Sequence, residues 1–270
     1  MKYKHLLIIP LLILLLAGEA IQAISPASQT APALKPLSAD TRPSKVPEKI
    51  LRREGYLVSY NTTTRQPNYV AWTLNRNRLK GNVQRSKSFF EDPELADNEK
   101  AKLKDYYNSG YDRGHICPAG DNKWSKVAML ESFLLSNICP QTHTLNAGDW
   151  VTLEELCREW TQQTDLHIIS GPMFLNASHR KLNKRVTVPS HFFKAIVTLT
   201  PGKEEGIAFI YQNNKEKHPI QYYVRSIDEV ENLLRFNLFQ ELPASLQKRI
   251  EANKNWEKWL KHMPHPSSRK

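Results

Sequence analysis

The 270-residue chain lacks the signatures of several enzyme classes. It has three cysteines and no CxxC pair, so it has no ligand set typical of a structural zinc site. The HExxH pattern of zinc proteases, the glycine-rich phosphate loop of nucleotidases and the GxSxG pattern of serine esterases are also absent from the sequence. Only 10 glycines stand against 17 prolines, which excludes a collagen-like or glycine-linker chain. The 40% hydrophobic and 24% charged residues indicate a globular fold.

Long hydrophobic runs are also missing, apart from Leu6–Leu16 near the start. This run has about half the ~20 residues that a membrane-spanning helix needs, so no stable span is expected. Two lysines precede the run and small residues follow it, an order typical of secretory signals. We therefore predict a signal peptide over 1–23 and a secreted or periplasmic location. Cleavage after Ala20 and cleavage after Ala23 both fit the pattern.

The rest of the chain divides into a linker, 24–47, and one α+β domain, 48–270. Five prolines lie in the linker among Ser, Ala and Thr, with too few apolar residues to order it. In the domain, the strand-like segments follow one another without long crossovers, which favours a central antiparallel sheet flanked by helices. The predicted strands are 56–60, 69–74, 166–170, 185–189, 191–199, 206–212 and 220–225. The predicted helices are 125–135, 150–163, 226–236 and 244–260.

The charge is strongly positive, with 38 Lys+Arg against 27 Asp+Glu and a net charge of +11. This excess favours an anionic partner, either nucleic acid or a phospholipid surface, but charge alone also fits a basic protein with no such partner. One stretch, 75–90, contains no acidic residue. Its basic residues, which either follow a nucleic-acid backbone or form a solvated loop, are Arg76, Arg78, Lys80, Arg85 and Lys87.

A cation and a base lie two residues apart in the segment Asp112-Arg113-Gly114-His115. In an extended strand, the side chains of Arg113 and His115 share one face, and Gly114 would let a ligand backbone approach. Histidine is suited to deprotonating water near neutral pH, as a phosphodiester hydrolase requires. An ordinary core or surface histidine remains the alternative.

Four residues recur at intervals of four: Asn146, Trp150, Glu154 and Arg158. On a helix they would form one ridge. Asn146 with water and a nearby carboxylate is a ligand set that suits Mg²⁺. The alternatives are a surface ion pair between Glu154 and Arg158 and a turn or capping role for Asn146.

Three ordered blocks carry a family resemblance: Asp112–His115, Ser136–Gln141 and the pattern LNxGxWxxLExxCR over 145–158. Together they resemble the DNA/RNA non-specific endonucleases, the ββα-metal nucleases that include the mitochondrial endonuclease. The resemblance extends over about 56–240. It implies a ββα-metal active-site core within the α+β domain and hydrolysis of phosphodiester bonds in DNA and RNA.

The resemblance also implies the catalytic roles. His115 is the general base that activates water, and Asn146 is the direct protein ligand of a hydrated Mg²⁺, for which Mn²⁺ often substitutes. Glu154 holds the water shell of the metal. Arg85 and Arg158 stabilise the phosphate, and Arg113 contacts substrate or supports the site. A homodimer is left open.

Two other functions are weighed against cleavage. The first is a nuclease-fold protein that binds nucleic acid without cutting it. This hypothesis predicts that His115 or Asn146 is replaced, but both are present. A different metal phosphodiesterase would bring several His and Asp ligands for two metals, and the sequence has no such cluster. Cys117 and Cys139 could form a disulfide or remain buried thiols.

Overall fold

The computed structural model describes residues 36–261. These residues all belong to one compact unit. The predicted signal peptide, 1–23, lies outside the described residues, as does the first part of the predicted linker. The later part of that linker packs on the domain: Ala39 is buried, and the Asp40 N–H donates to the Asn237 carbonyl at 2.8 Å. No helix within 36–261 is both long and apolar enough to cross a bilayer.

The described elements are eleven strands and six α-helices, with short 3-10 turns between them. The strands are β1 (Lys49–Arg52), β2 (Leu57–Asn61), β3 (Gln66–Leu74), β4 (Asp112–His115), β5 (Ile138–Gln141), β6 (Leu166–Met173), β7 (Lys181–Leu182), β8 (Val186–Thr187), β9 (His191–Thr198), β10 (Glu205–Gln212) and β11 (Val224–Arg225). The helices are α1 (Leu103–Tyr106), α2 (Lys126–Glu131), α3 (Trp150–Trp160), α4 (Ile227–Leu234), α5 (Ala244–Ile250) and α6 (Trp256–Leu260).

Seven strands form one sheet in the order β1-β2-β3-β6-β9-β10-β11. Each neighbouring pair is antiparallel, and β6 pairs with β9 from His167 opposite Val197 to Met173 opposite His191. The predicted α+β class with a central antiparallel sheet is therefore confirmed. β4 and β5 form a separate two-stranded ladder.

Both faces of the large sheet are covered. Side chains alternate between the faces, so Trp72 and Ile168 join one apolar cluster and the adjacent Ala71 and Ile169 join another. The first cluster includes Trp150, Leu153, Cys157 and Trp160 of α3. The second cluster includes residues of α4 and the last residue of α5. The ββα segment and the C-terminal α4–α5 pair therefore pack on opposite faces of the sheet.

Two predictions near the C-terminus are wrong. The predicted strand 220–225 is a 3-10 turn, Ile220–Tyr223, followed by the two residues of β11. The predicted helix 244–260 is broken between α5 and α6. The break has a local cause, because the Asn255 side chain accepts the Lys258 N–H at 3.0 Å and starts a new helix. By contrast, the predicted helix 226–236 begins where expected, because Ser226 and Glu229 form a capping box at the start of α4.

Candidate active site

The three sequence blocks meet in one ββα unit. In the ladder of β4 and β5, Asp112 lies opposite Gln141 and His115 lies opposite Ile138. Trp150, the first residue of α3, donates its indole N–H to the His115 carbonyl at 3.1 Å. The helix that carries Glu154 and Arg158 is therefore fastened directly to the strand that carries His115.

Gly114 has a different role from the predicted one. A Cβ atom at this position would lie 1.9 Å from Oε1 of Gln141, so the Gln141 side chain occupies the space above the glycine. The absence of a side chain lets the two strands of the ladder pair closely, and it does not open a path to a ligand.

His115 is buried between aromatic rings, with 7% of its surface exposed. Its ring lies edge-on to Phe133, with centroids 4.7 Å apart, and 5.4 Å from Phe89. Burial, and then the positive charge of Arg85, lower the pKa of His115 to about 3. Among the described residues, none forms a hydrogen bond with its Nε2 atom. At neutral pH the imidazole is therefore uncharged and able to accept a proton.

Asn146 lies before α3, in a wide helical turn over Leu145–Asp149. The backbone leaves the helical conformation at Gly148, so Asn146 is not a regular helical step away from Trp150. Its Nδ2 atom donates to Oδ2 of Asp112 at 2.9 Å, and Nδ1 of His143 lies 2.9 Å from the same oxygen. This contact fixes the amide so that the Asn146 oxygen is left available to a ligand.

Glu154 and Arg158 lie one turn apart on α3, but their contact is long. Nη1 of Arg158 is 4.0 Å from the Glu154 carboxylate and 3.1 Å from Oδ1 of Asp121. The Glu154 side chain is only 13% exposed. Burial raises the pKa of Glu154 to about 7, although the positive charges of Lys194 and Arg158 act in the opposite direction.

Asp121 holds Arg158 in place, a role that sequence reasoning missed. This buried carboxylate accepts from Arg158 through Oδ1 and from the Trp72 indole N–H through Oδ2, both at 3.1 Å. Asp112, which orients Asn146, was also given no role, although it begins the first sequence block. Its place in a block that carries the family resemblance could have drawn attention to it, whereas no local signal marks Asp121.

A cleft of about 470 Å³ brings together Arg85, Arg113 and Asn146, with Asp112 also in its lining. The Arg113 guanidinium lies 4.3 Å from the centre of the Phe89 ring, and that of Arg85 lies 5.1 Å from the centre of the Phe133 ring. These are the two rings that flank His115. Two cations are thus placed beside the histidine, although its ring, Glu154 and Arg158 do not line this cleft.

The basic stretch divides into structural and solvent-facing residues. Arg78 donates to the Thr73 carbonyl, to Oδ1 of Asn122 and to the Asp121 carbonyl, at 2.7, 2.6 and 3.2 Å. It is therefore part of the fold and fits neither alternative given for the stretch, a backbone-binding segment or a solvated loop. The exposed members are Arg76, Lys80, Arg85 and Lys87.

The cysteines are free and buried, so Cys117 and Cys139 do not form the disulfide that the sequence left open. Asn137 fixes the loop beside Cys117. Its amide nitrogen donates to the carbonyls of Cys117 and Ser132, at 2.9 and 2.8 Å, and its amide oxygen accepts the Cys117 N–H.

Comparison with known proteins gives consistent matches. The family described as DNA/RNA non-specific endonuclease matches residues 35–245. The mitochondrial nuclease EXOG of Xenopus laevis is 35% identical over 204 residues, which are 69% of this chain and 57% of that protein. The mitochondrial nuclease of Saccharomyces cerevisiae is 34% identical over 222 residues, covering 73% and 68%. A solved structure of EndoG bound to EndoGI has a TM-score of 0.70 and 26% identity, and the match covers 73% of this chain and 88% of that one.

These matches show how much of its relatives' length the chain spans and where in the cell those relatives are located. The chain spans 57% and 56% of the EXOG nucleases of Xenopus laevis and Danio rerio. Those two relatives, and the ones from Saccharomyces cerevisiae and Schizosaccharomyces pombe, are named as mitochondrial. The predicted secreted or periplasmic location is therefore wrong by this comparison.

Proposed function

The chain belongs to the DNA/RNA non-specific endonuclease family, and from this premise we propose that it cleaves internal phosphodiester bonds of both DNA and RNA. The observation that supports the proposal most directly is the state of His115. Its imidazole is uncharged at neutral pH, its Nε2 atom has no partner among the described residues, and two arginines lie beside it. A nuclease needs a proton acceptor beside a place where a phosphate can bind.

We assign the metal site to Asn146 and Glu154, and the donor chemistry fits Mg²⁺. The Asp112 contact turns the amide nitrogen of Asn146 away, which leaves an oxygen ligand, and Mg²⁺ binds oxygen while retaining most of its waters. The Glu154 carboxylate would accept hydrogen bonds from those waters. Mn²⁺ takes the same ligands and would substitute. When bound, the cation supplies Lewis-acid stabilisation of the charge that builds up on the phosphate and on the leaving 3′-oxygen.

In this scheme, His115 takes the proton of the water that attacks phosphorus. A pKa of about 3 keeps the ring free of its second proton before substrate arrives, and the negative phosphodiester then favours the protonated ring during the reaction. The rings of Phe89 and Phe133 pack against the imidazole and limit its movement. The histidine therefore acts as the base without a second metal.

Arg85 and Arg158 would contact the phosphate, and Arg113, which lines the same cleft as Arg85, would contact the substrate. Guanidinium groups bind phosphate oxygens through paired hydrogen bonds. Contacts that reach only phosphate and sugar carry no sequence information, which accounts for indifference to sequence and to the choice of DNA or RNA. Asp121 would hold the Arg158 guanidinium in place for this role through its 3.1 Å contact.

The test is cleavage by the purified full chain. Supercoiled plasmid and RNA are incubated with Mg²⁺ or with excess EDTA, and a His115→Ala protein from the same purification controls for contaminating nucleases. We expect nicking and linearisation of circular DNA, degradation of RNA, and loss of both in EDTA. Attack on linear ends only, full activity in EDTA, or equal activity of His115→Ala would overturn the proposal. A mobility shift without cleavage would favour a binding protein, and hydrolysis of small phosphodiesters alone would favour another phosphodiesterase.

A further inference from the structure

A second group of oxygen ligands lies where α4 meets the end of α5. Asp228 and Glu231 belong to α4, and Glu251 directly follows α5. One carboxylate oxygen from each residue lies within 4.8 Å of the other two. Ile227 and Ile250, their sequence neighbours, pack on the sheet face opposite to α3. The cluster is therefore separate from the candidate active site.

Glu251 is the unusual member of the cluster. It is only 3% exposed, and its Oε1 atom has no hydrogen-bond partner among the described residues. Its backbone carbonyl accepts the Asp228 N–H at 3.1 Å, which holds the residue against the first turn of α4. A buried carboxylate oxygen without a partner is unfavourable unless a proton or a cation satisfies it.

The protein supplies no cation of its own here. Within residues 36–261, none of the three carboxylates forms an ion pair with Lys, Arg or His, and the nearby Arg249 and Lys254 contact Glu204 and Glu229 instead. Burial, together with the negative charges of Glu231 and Asp228, raises the pKa of Glu251 to about 8. The Leu238 N–H donates to Oε1 of Glu231 at 2.6 Å, but no positively charged side chain within 36–261 compensates the three carboxylates.

We propose that Asp228, Glu231 and Glu251 bind a divalent cation of the Ca²⁺ type, which fastens the segment after α5 to α4. Three oxygens within 4.8 Å of one another can all bind one Ca²⁺, because two ligands of the same ion lie at most about twice the ~2.4 Å Ca–O distance apart. Ca²⁺ accepts irregular ligand sets completed by water, whereas Mg²⁺ demands near-octahedral geometry. Glu251 lies beyond the matched family region, 35–245, so the site depends on a residue outside that region.

The test uses the full chain after dialysis against EDTA. Bound Ca²⁺ is counted by equilibrium dialysis with ⁴⁵Ca²⁺, and thermal unfolding is followed with and without Ca²⁺. At a concentration about 100 times the dissociation constant, we expect the Tm to rise by roughly 5–10 °C. Glu251→Gln should bind one ion fewer and lose this rise. The control Glu257→Gln, which makes the same charge change at an exposed position on α6, should retain both.

A further variant distinguishes Ca²⁺ binding at the carboxylate cluster from Ca²⁺ binding at Asn146. Asn146→Ala should keep the Ca²⁺-dependent rise in Tm, because the proposed ion lies on the other face of the sheet. If Glu251→Gln does not fold, Asp228→Asn takes its place in both measurements. Equal Ca²⁺ counts and equal Tm shifts in the wild type and in the folded cluster variant would overturn the proposal. Absence of Ca²⁺ binding to the wild type would also overturn it, and would mean that protons alone neutralise the cluster.

Discussion

The amide nitrogen of Asn146 donates a 2.9 Å hydrogen bond to Oδ2 of Asp112, across 34 residues of chain. This contact joins the first block of the ββα unit to the third. An amide has one donor end and one acceptor end, so the bond decides which end Asn146 turns toward a ligand. Asp112 thus acts as a positioning residue for the proposed metal ligand.

Asp112→Ala should therefore weaken metal binding more than it slows cleavage at saturating metal. Loss of a contact that orients a ligand typically costs ~10–100-fold in metal affinity. Plasmid nicking measured over a range of Mg²⁺ concentrations gives the half-saturation value directly. His143→Ala, which removes the exposed second partner of the same oxygen, is the control and should have the smaller effect. An unchanged half-saturation in Asp112→Ala would show that Asn146 does not need this contact.

His115→Ala and Asn146→Ala should fail in different ways. Loss of the general base should lower kcat about 10²–10⁴-fold while the Mg²⁺ half-saturation stays near the wild-type value. Loss of the metal ligand should raise that half-saturation, and higher Mg²⁺ or Mn²⁺ should restore part of the rate. Added imidazole should help only His115→Ala. The assigned roles are exchanged if His115→Ala loses metal binding while Asn146→Ala cleaves normally.

The fold was accessible to sequence reasoning where local pattern and tertiary structure agree. Alternating or continuous apolar runs marked β3, β6, β9 and β10, and three ordered blocks marked the ββα unit. β1 escaped notice because Lys49–Arg52 is a short, mostly exposed edge strand with little apolar pattern. The C-terminal helix was predicted too long because apolar spacing continues through a break that a single capping side chain imposes.

Much of the candidate site depends on contacts between residues far apart in sequence. Asp121 reaches Trp72 and Arg158, 49 and 37 residues away, so no local pattern could link them. Lys194 lies in a strand-like run, where its charge suggests exposure, yet it is fully buried. The roles of His115, Asn146 and Glu154 remain predictions, now with a geometry that can be tested.

Arg85 and Arg78 should separate substrate binding from stability. Arg85 is exposed at the cleft, so Arg85→Ala should raise KM without changing the Tm. In a plot of the logarithm of the nucleic-acid binding constant against the logarithm of the salt concentration, the slope should become shallower by about one. Arg78 donates three hydrogen bonds inside the fold, so Arg78→Ala should instead lower the Tm. Binding is measured between about 50 and 200 mM salt, and Tm by calorimetry. A flat salt response of the wild type would contradict a role for phosphate contacts.

Between pH 5 and 8, the acid side of the activity profile should report Glu154 and not His115. The pKa of Glu154 is about 7, so its carboxylate is present above that value and becomes protonated below it. We expect the Mg²⁺ half-saturation to rise by up to about tenfold per pH unit below this pKa. The pKa of His115, about 3, keeps that ring neutral over the whole range. Higher Mg²⁺ should move this acid limb, the fall in activity below the Glu154 pKa, to lower pH because the cation favours the charged carboxylate. The Glu154→Gln variant should show no acid limb. A limb that persists in Glu154→Gln would assign it to another group.

Lys194 should determine the pH at which the acid limb of the activity profile occurs. Its ammonium group is fully buried, has no hydrogen-bond partner among the described residues, and lies 4.5 Å from the centre of the Trp150 ring, one turn before Glu154 on α3. Its positive charge lowers the pKa of Glu154 against the effect of burial.

Lys194→Met removes this charge but keeps an unbranched apolar side chain, so the Glu154 pKa should rise and the acid limb should move to higher pH. The Tm should stay equal or increase, because the loss of a buried charge without a hydrogen-bond partner should outweigh the loss of its contacts with the Trp72 and Trp150 rings. Lys203→Met, the same charge change at an exposed position, should alter neither quantity. In the double variant with Glu154→Gln, Lys194→Met should have no further effect on the pH profile, since the group on which it acts is gone. A shift of the limb that persists in this double variant would show that Lys194 acts on the active site by another route.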